Sequence, residues 1–174
     1  TSEVLDKTAC ALLVDKEEIG SVGASGMQSL FYENLVAELV NLEGDYSDIK
    51  LRRAMTNSSV LSSDVSAAFD PNYASVFEKN NCAFFGKGLV FNKYTGARGK
   101  SGSNDASAEY FAKIRRIMDE AEVAFQTAEL GKVDVGGGGT IAYILGNYNM
   151  EVIDAGVAVL SMHAPHEVIS KVDL

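Results

Sequence analysis

The sequence has no tryptophan, only two cysteines, two prolines and two histidines, and 15 basic residues against 24 acidic ones. Cys10 and Cys82 are too few and too far apart for a disulfide scaffold or a zinc ribbon. Each lies in or beside an apolar run, which predicts buried thiols packing as small hydrophobes. A net charge of −9 and a pI near 4.7, with Lys and Arg scattered, exclude the cationic patch that nucleic-acid binding requires. No run approaches the roughly 18 apolar residues of a membrane-spanning helix. The amino terminus also lacks the basic start and apolar core of a signal peptide, so no membrane partner is expected and the expected location is cytoplasmic. What remains is a chain of 174 residues, 47% hydrophobic and with a mean hydropathy of +0.02, which is enough for one domain with a core.

Apolar residues from Thr8 to Val14 predict a buried strand, with Glu17 and Glu18 at its carboxyl end, where open α/β sheets keep their ligand sites. The glycine-rich stretch Gly20 to Gly26 turns the chain, and a helix follows from Met27 to Leu42. Its stripe is Leu30, Phe31, Leu35, Val36, Leu39 and Val40, and Gly44 ends it. Ser58 to Val65 reads as a second strand that closes on Asp64, and Asp70-Pro71 as an N-cap followed by a first-turn proline. Ala83 to Tyr94 suggests one or two short strands broken by glycine. The passage Lys93 to Ser103, carrying Lys93, Arg98 and Lys100 among glycines, reads as a solvated loop or as a wall offering positive charge to an acidic ligand.

Asn104 or Asp105 can cap a helix through Tyr110, Phe111, Ile114, Ile117 and Met118, followed by a strand from Val123 to Leu130. The glycine run Gly136 to Gly139 then opens a short helix, Ile141 to Leu145. Glu151 to Val157 forms another strand that leads through Ser161-Met162-His163 into a helix over Glu167 to Leu174, with His166 exposed at its start. Alternating strands and helices predict an α/β fold, a mostly parallel twisted sheet sandwiched by helices. Both ends read as cuts through a longer chain, Thr1 lying just before a core strand and Leu174 inside a helix.

Adjacent carboxylates in a partly dry site repel unless one holds a proton or a cation lies beside both. Glu17, Glu18, Asp64 and His163 each follow an apolar strand-like run, and carboxylates with an imidazole suit a hydrolytic zinc, manganese or cobalt site. The plainer alternatives are a cap or turn role for Asp64 and a satisfied loop histidine for His163. A rival function is a nucleotide-binding α/β module. Gly137-x-Gly139-x-x-Ala142 within the Gly136 to Ala142 loop matches the dinucleotide fingerprint, and Asp154 closes the following strand.

Four motifs occur in order: Asp15-Lys16-Glu17-Glu18-Ile19-Gly20-Ser21, Ser63-Asp64 leading into Asp70-Pro71-Asn72-Tyr73, Gly138-Gly139-Thr140-Ile141 and Ser161-Met162-His163. Together they resemble the aspartyl aminopeptidase and vacuolar aminopeptidase I family of co-catalytic dinuclear metallo-aminopeptidases, over nearly the whole chain. The resemblance implies hydrolysis of the amino-terminal bond of peptides with two divalent metal ions, zinc first, with cobalt or manganese as alternatives. It implies Glu17 as general base, Glu18 and His163 as ligands of one metal, and Asp64 as a ligand of the other. Lys93, Gly138, Gly139 and Met162 become candidate substrate contacts, Lys93 for an acidic amino-terminal residue. The implied assembly is a large homo-oligomer, a dodecamer.

Two departures stand out. Ala67 and Asp70 occupy positions where the family's second motif carries histidines. The family's first metal-binding histidine, its bridging aspartate and an oligomerisation insert fall upstream of the Glu17-Glu18 motif. Residues 1–174 therefore correspond to the C-terminal portion of a catalytic domain, expected to be inactive alone. A non-catalytic structural homologue is the remaining alternative.

Overall fold

The computed structural model describes residues 4–174. The fold is organised around two central strands, β3 (Leu89–Ala97) and β6 (Glu151–Gly156). They pair antiparallel through Val90–Gly156, Phe91–Ala155 and Asn92–Asp154. On the far side of β6 runs β1 (Ser59–Ser63), parallel and in register from Ser59–Glu151 to Ser63–Ala155. β5 (Phe125–Glu129) lies parallel to β3, and β4 (Ser101–Asp105) pairs antiparallel with its second half. A smaller sheet holds β2 (Ser66–Ala67), β7 (Ala158–Leu160) and β8 (Val168–Ile169), with β2 parallel and β8 antiparallel to β7.

Alternation along β6 sends neighbouring side chains to opposite faces, and both faces are covered. Val152 packs with Leu51 and Met55 of α2 (Asp48–Thr56) and with Ile144 and Leu145 of α4 (Ala142–Gly146). Ile153 and Ala155 pack with Phe91 and with Tyr110 and Ile114 of α3 (Ala108–Glu120). The chain is thus α/β, with a twisted sheet between helices. Helix α1 (Phe31–Leu42) adds to the α2–α4 side through half-buried Tyr32, Val36 and Ala37, and Tyr148 donates to Glu33 at 3.2 Å. Among the described residues no helix is long and apolar enough to cross a membrane.

Local chemistry accounts for most boundaries. The Asp70 carboxylate accepts from Asn72 N and opens the short 3-10 turn Pro71–Val76, as the cap reading predicts. The strands expected over Ser58 to Val65, Val123 to Leu130 and Glu151 to Val157 form as β1, β5 and β6. The expected Met27 to Leu42 helix starts later, at Phe31, and Gly44 follows its end with φ +94°. Helix α3 is capped by Ser107, whose hydroxyl accepts from Tyr110 N at 3.1 Å, because Asn104 and Asp105 are still in β4. Helix α2, capped by Ser47, was not expected.

Three expectations fail. Thr8 to Val14 forms no strand: the nearest pairing is an isolated bridge between Asp15, just past it, and Gly26, and Leu13 is 97% exposed. A strand needs a hydrogen-bonding neighbour, and among the described residues none lies alongside. Cys10 in this stretch is exposed rather than buried, whereas Cys82 is buried. Second, Lys93 to Ser103 is no solvated loop but the β3–β4 hairpin, and the expected short strands over Ala83 to Tyr94 become one nine-residue strand starting at Leu89. The Tyr94 hydroxyl, bonded to Gly99 O and Ser103 Oγ, stitches the hairpin so that the turn itself is short. Third, no helix forms over Glu167 to Leu174. Val168–Ile169 pairs with β7, and the Asp173 carboxylate takes Gly86 N at 2.7 Å and Gly88 N at 2.9 Å, fixing the tail in a non-helical course. The adjacent β-branched Val168 and Ile169 favour the strand.

Candidate metal centre

Glu17 and Glu18 open a three-residue 3-10 turn, Glu17–Ile19, with left-handed backbone on both sides: Lys16 at φ 67°, Gly20 at 90° and Ser21 at 59°. Asp15 secures its entry, accepting from Ser25 Oγ at 2.7 Å and from Lys16 N at 2.9 Å, which holds its carboxyl below the usual range. Gln28 Nε2 donates to Gly20 O and ties the exit. The carboxylates therefore sit on a turn braced by its own polar groups and not on a strand tip.

Asp64 directly follows β1, its carboxylate accepting from Val65 N at 2.8 Å and its N–H donating to Ala155 O at 3.3 Å. Gly156 makes this approach possible, since a Cβ there would collide with the Asp64 carbonyl. His163 lies just past β7, in a turn where Ser161 (φ 59°) and His163 (φ 64°) both take the left-handed conformation. His163 N donates to Glu167 Oε1 at 2.6 Å. Non-glycine residues at positive φ on both turns are conformations that side chains seldom adopt without surrounding constraint.

The fold brings four of the predicted residues together. His163 Nε2 lies 3.1 Å from Glu18 Oε2. Burial raises the proton affinity of Glu17, and the charges of Asp64 and then Glu18 raise it further, with His163 opposing. Burial likewise raises Asp64, opposed by its Val65 N–H bond and seconded by Glu18. Glu17, Glu18 and Asp64 feel one another's negative charge, which a divalent cation would relieve, and oxygen and nitrogen donors of this kind suit zinc, manganese or cobalt. Among the described residues no three acid, histidine or cysteine side chains converge tightly enough to hold an ion unaided. The Glu18–His163 pair fits as part of a coordination sphere. A four-coordinate site needs further donors.

The expected substrate contacts are placed less closely. Lys93 Nζ is paired with the Asp105 carboxylate across the hairpin, so its charge is already engaged. The Gly138 carbonyl accepts from Gly96 N and that of Gly136 from Arg98 N, laying the glycine run beside β3, while Gly139 is exposed. Gly137 (φ 95°) has no room for a Cβ against the Gly96 carbonyl. The dinucleotide reading fails on this geometry: the run follows a turn rather than a strand, and the helix after it has only five residues. Met162 is half-buried beside His163.

One buried acid whose charge reaches Glu17 enters the sequence reading only through the dinucleotide fingerprint. Asp154, on β6, is 0% exposed, and its carboxyl is pushed up to about 6, chiefly by burial. The signal was an acid in the middle of an apolar strand.

Known proteins with the same pattern agree with the motifs. A family model described as "Aminopeptidase I zinc metalloprotease (M18)" matches residues 2–174. A probable M18 family aminopeptidase 1 from Clostridium acetobutylicum is 66% identical over 168 residues, covering 97% of this chain and 36% of that protein. The crystal structure of an M18-family aminopeptidase from Thermotoga maritima superposes with a TM-score of 0.86 at 45% identity, over 92% of this chain and 36% of that one. A structure titled as the S. cerevisiae mApe1 dodecamer shares the fold, with a TM-score of 0.68 at 23% identity over 88% of this chain and 32% of that one. The chain thus spans about a third of the length of these relatives.

Proposed function

Because the chain belongs to the aminopeptidase I zinc metalloprotease (M18) family, we propose that the full-length protein carrying it is a metal-dependent aminopeptidase acting on the amino-terminal bond of peptides. Glu18 and His163 are donors to one divalent ion and Asp64 to a second. Zinc is the expected metal, and cobalt or manganese suits the same donors. The approach of His163 to Glu18 at 3.1 Å, between turns far apart in sequence, supports this reading most directly. When bound, the two cations polarise the scissile carbonyl and acidify the attacking water.

Glu17 is the general base. It is half-buried beside the donors, with its proton affinity raised, and it takes the proton at its carboxylate and returns it to the leaving amine. Gly138 and Gly139 let a substrate backbone approach closely, and Met162 lends an apolar contact. An acidic preference through Lys93 requires its pair with Asp105 to open. The family's remaining ligands, expected upstream, come from the rest of the protein, so residues 1–174 alone are expected to be inactive. The assembly we propose is a homo-oligomer, for which the yeast dodecamer is the pattern.

Metal analysis and an aminopeptidase assay on the full-length protein and on Glu17→Gln test the proposal. The variant is expected to keep its metal and lose turnover by about 100-fold or more. Undiminished turnover would sink the assignment of Glu17, and a metal-free active native protein would sink the mechanism.

A further inference from the structure

Asp154 stands at the centre of β6 with no exposure, and neither carboxylate oxygen has a hydrogen-bond partner. An unpaired buried carboxylate is costly, so its surroundings matter. Ser62 of β1 and Asn92 of β3 flank it in register on either side. Ser62 Oγ, Thr95 Oγ1 and Asn92 Nδ2 are likewise buried and unpartnered. The hydroxyls of Ser62, Thr140 and Thr95 come near enough to Asp154 to hold its proton affinity down, without reaching hydrogen-bonding geometry.

The donor count is complementary. Asn92 Oδ1 is taken by Ser66 Oγ at 3.0 Å, which leaves its amide N–H groups as the free function. Thr140 Oγ1 accepts from Ala142 N at 3.2 Å, which leaves its O–H to donate. A carboxylate offers only acceptors, and these neighbours offer donors, so a small side-chain rotation or one buried water closes the cluster.

Each member also adjoins a segment of the site. Ser62 is two residues before Asp64, whose N–H bonds to Ala155 O next to Asp154. Thr140 follows Gly138 and Gly139, and Asn92 and Thr95 bracket Lys93 and Tyr94. We propose that Asp154 is a positioning residue for the metal centre, fixing the β1 end that carries Asp64 through Ser62 and the Gly138–Gly139 strip through Thr140. It touches neither metal nor substrate. This role presupposes the metallo-aminopeptidase reading above.

The test is the zinc dissociation constant of the metal-stripped full-length protein, measured by chelator competition well below its melting temperature. Asp154→Asn keeps the size of the side chain but turns donors toward donors, and it is expected to weaken zinc binding by about 10- to 100-fold, the usual scale for an outer partner of a ligand. Ser62→Ala should weaken it less. Asp173→Asn, which leaves one acceptor for the two N–H groups of Gly86 and Gly88, should lower the melting temperature and leave zinc affinity unchanged. Native affinity in Asp154→Asn would overturn the role. If that variant does not fold, native affinity in both Ser62→Ala and Thr140→Val would overturn it equally. Glu18→Gln and His163→Ala provide the separate check: if neither lowers zinc uptake, the metal-centre reading itself fails, whatever Asp154 does.

Discussion

Strand β6 and helix α1 belong to one chain but are covered to different degrees. β6 has strands on both edges and helices over both faces, and Val152, Ile153, Asp154 and Ala155 are all buried. α1 has no buried residue: Phe31 is 60% exposed, Leu35 37%, Leu39 43% and Leu42 81%. Both segments were recognised by their apolar pattern, so pattern is not what separates them. A strand inside a sheet has its neighbours supplied by the ladder, whereas a helix stripe is buried only as far as a facing surface extends. The arc of α1 that meets the core is narrow, and the apolar arc is wider.

The largest expected effect falls on the covered side. Phe91 is 0% exposed and stacks edge-on with Phe111 and Phe125. Phe91→Ala in the full-length protein should cost about 3–5 kcal/mol in urea unfolding. A loss near zero would erase the contrast with α1.

A second effect depends on pH. Burial raises Asp154 from 3.8 to about 6 in the folded state, so the folded chain binds its proton more tightly than the unfolded one. Its stabilising contribution is therefore complete below the unfolded value and disappears as pH rises through the folded value, a change of about 3 kcal/mol. Metal-free native protein should lose stability across this window relative to Asp154→Asn, and parallel urea profiles for the two would contradict the buried acid.

The smallest effect is on α1, where Leu39→Ala should change stability by no more than about 0.5 kcal/mol. A loss of about 2 kcal/mol or more would show that the stripe is covered in the full-length protein.

Elements with local signals were legible. Asp70-Pro71 named its own cap, and β1, β5, β6 and the short helix after the glycine run came from apolar runs with clear borders. Those that depend on a distant partner were not. Thr8 to Val14 has strand composition but no ladder, and Lys93 to Ser103 has loop composition but becomes a hairpin through Tyr94. The composition of Glu167 to Leu174 predicts a helix, but pairing with β7 and the Asp173 carboxylate hold it in another course. In the site, residue type and place after apolar runs point to Glu17, Glu18, Asp64 and His163, motif order gives their implied roles, and the fold brings Glu18 and His163 to 3.1 Å. The sequence offers Lys93 to an acidic substrate residue and either Asn104 or Asp105 as a helix cap, whereas the fold pairs Lys93 with Asp105.

By itself, the sequence determined the residue chemistry: which acids and imidazole are available and in what order. That information is local, written in side-chain type and spacing. Tertiary structure alone decided that Glu18 meets His163, that Lys93 pairs with Asp105, that Cys10 is exposed and that Asp154 is sealed among hydroxyls. Each of these depends on which surfaces become neighbours, and pairing between distant strands and turns is set by packing and hydrogen-bond satisfaction over the whole chain.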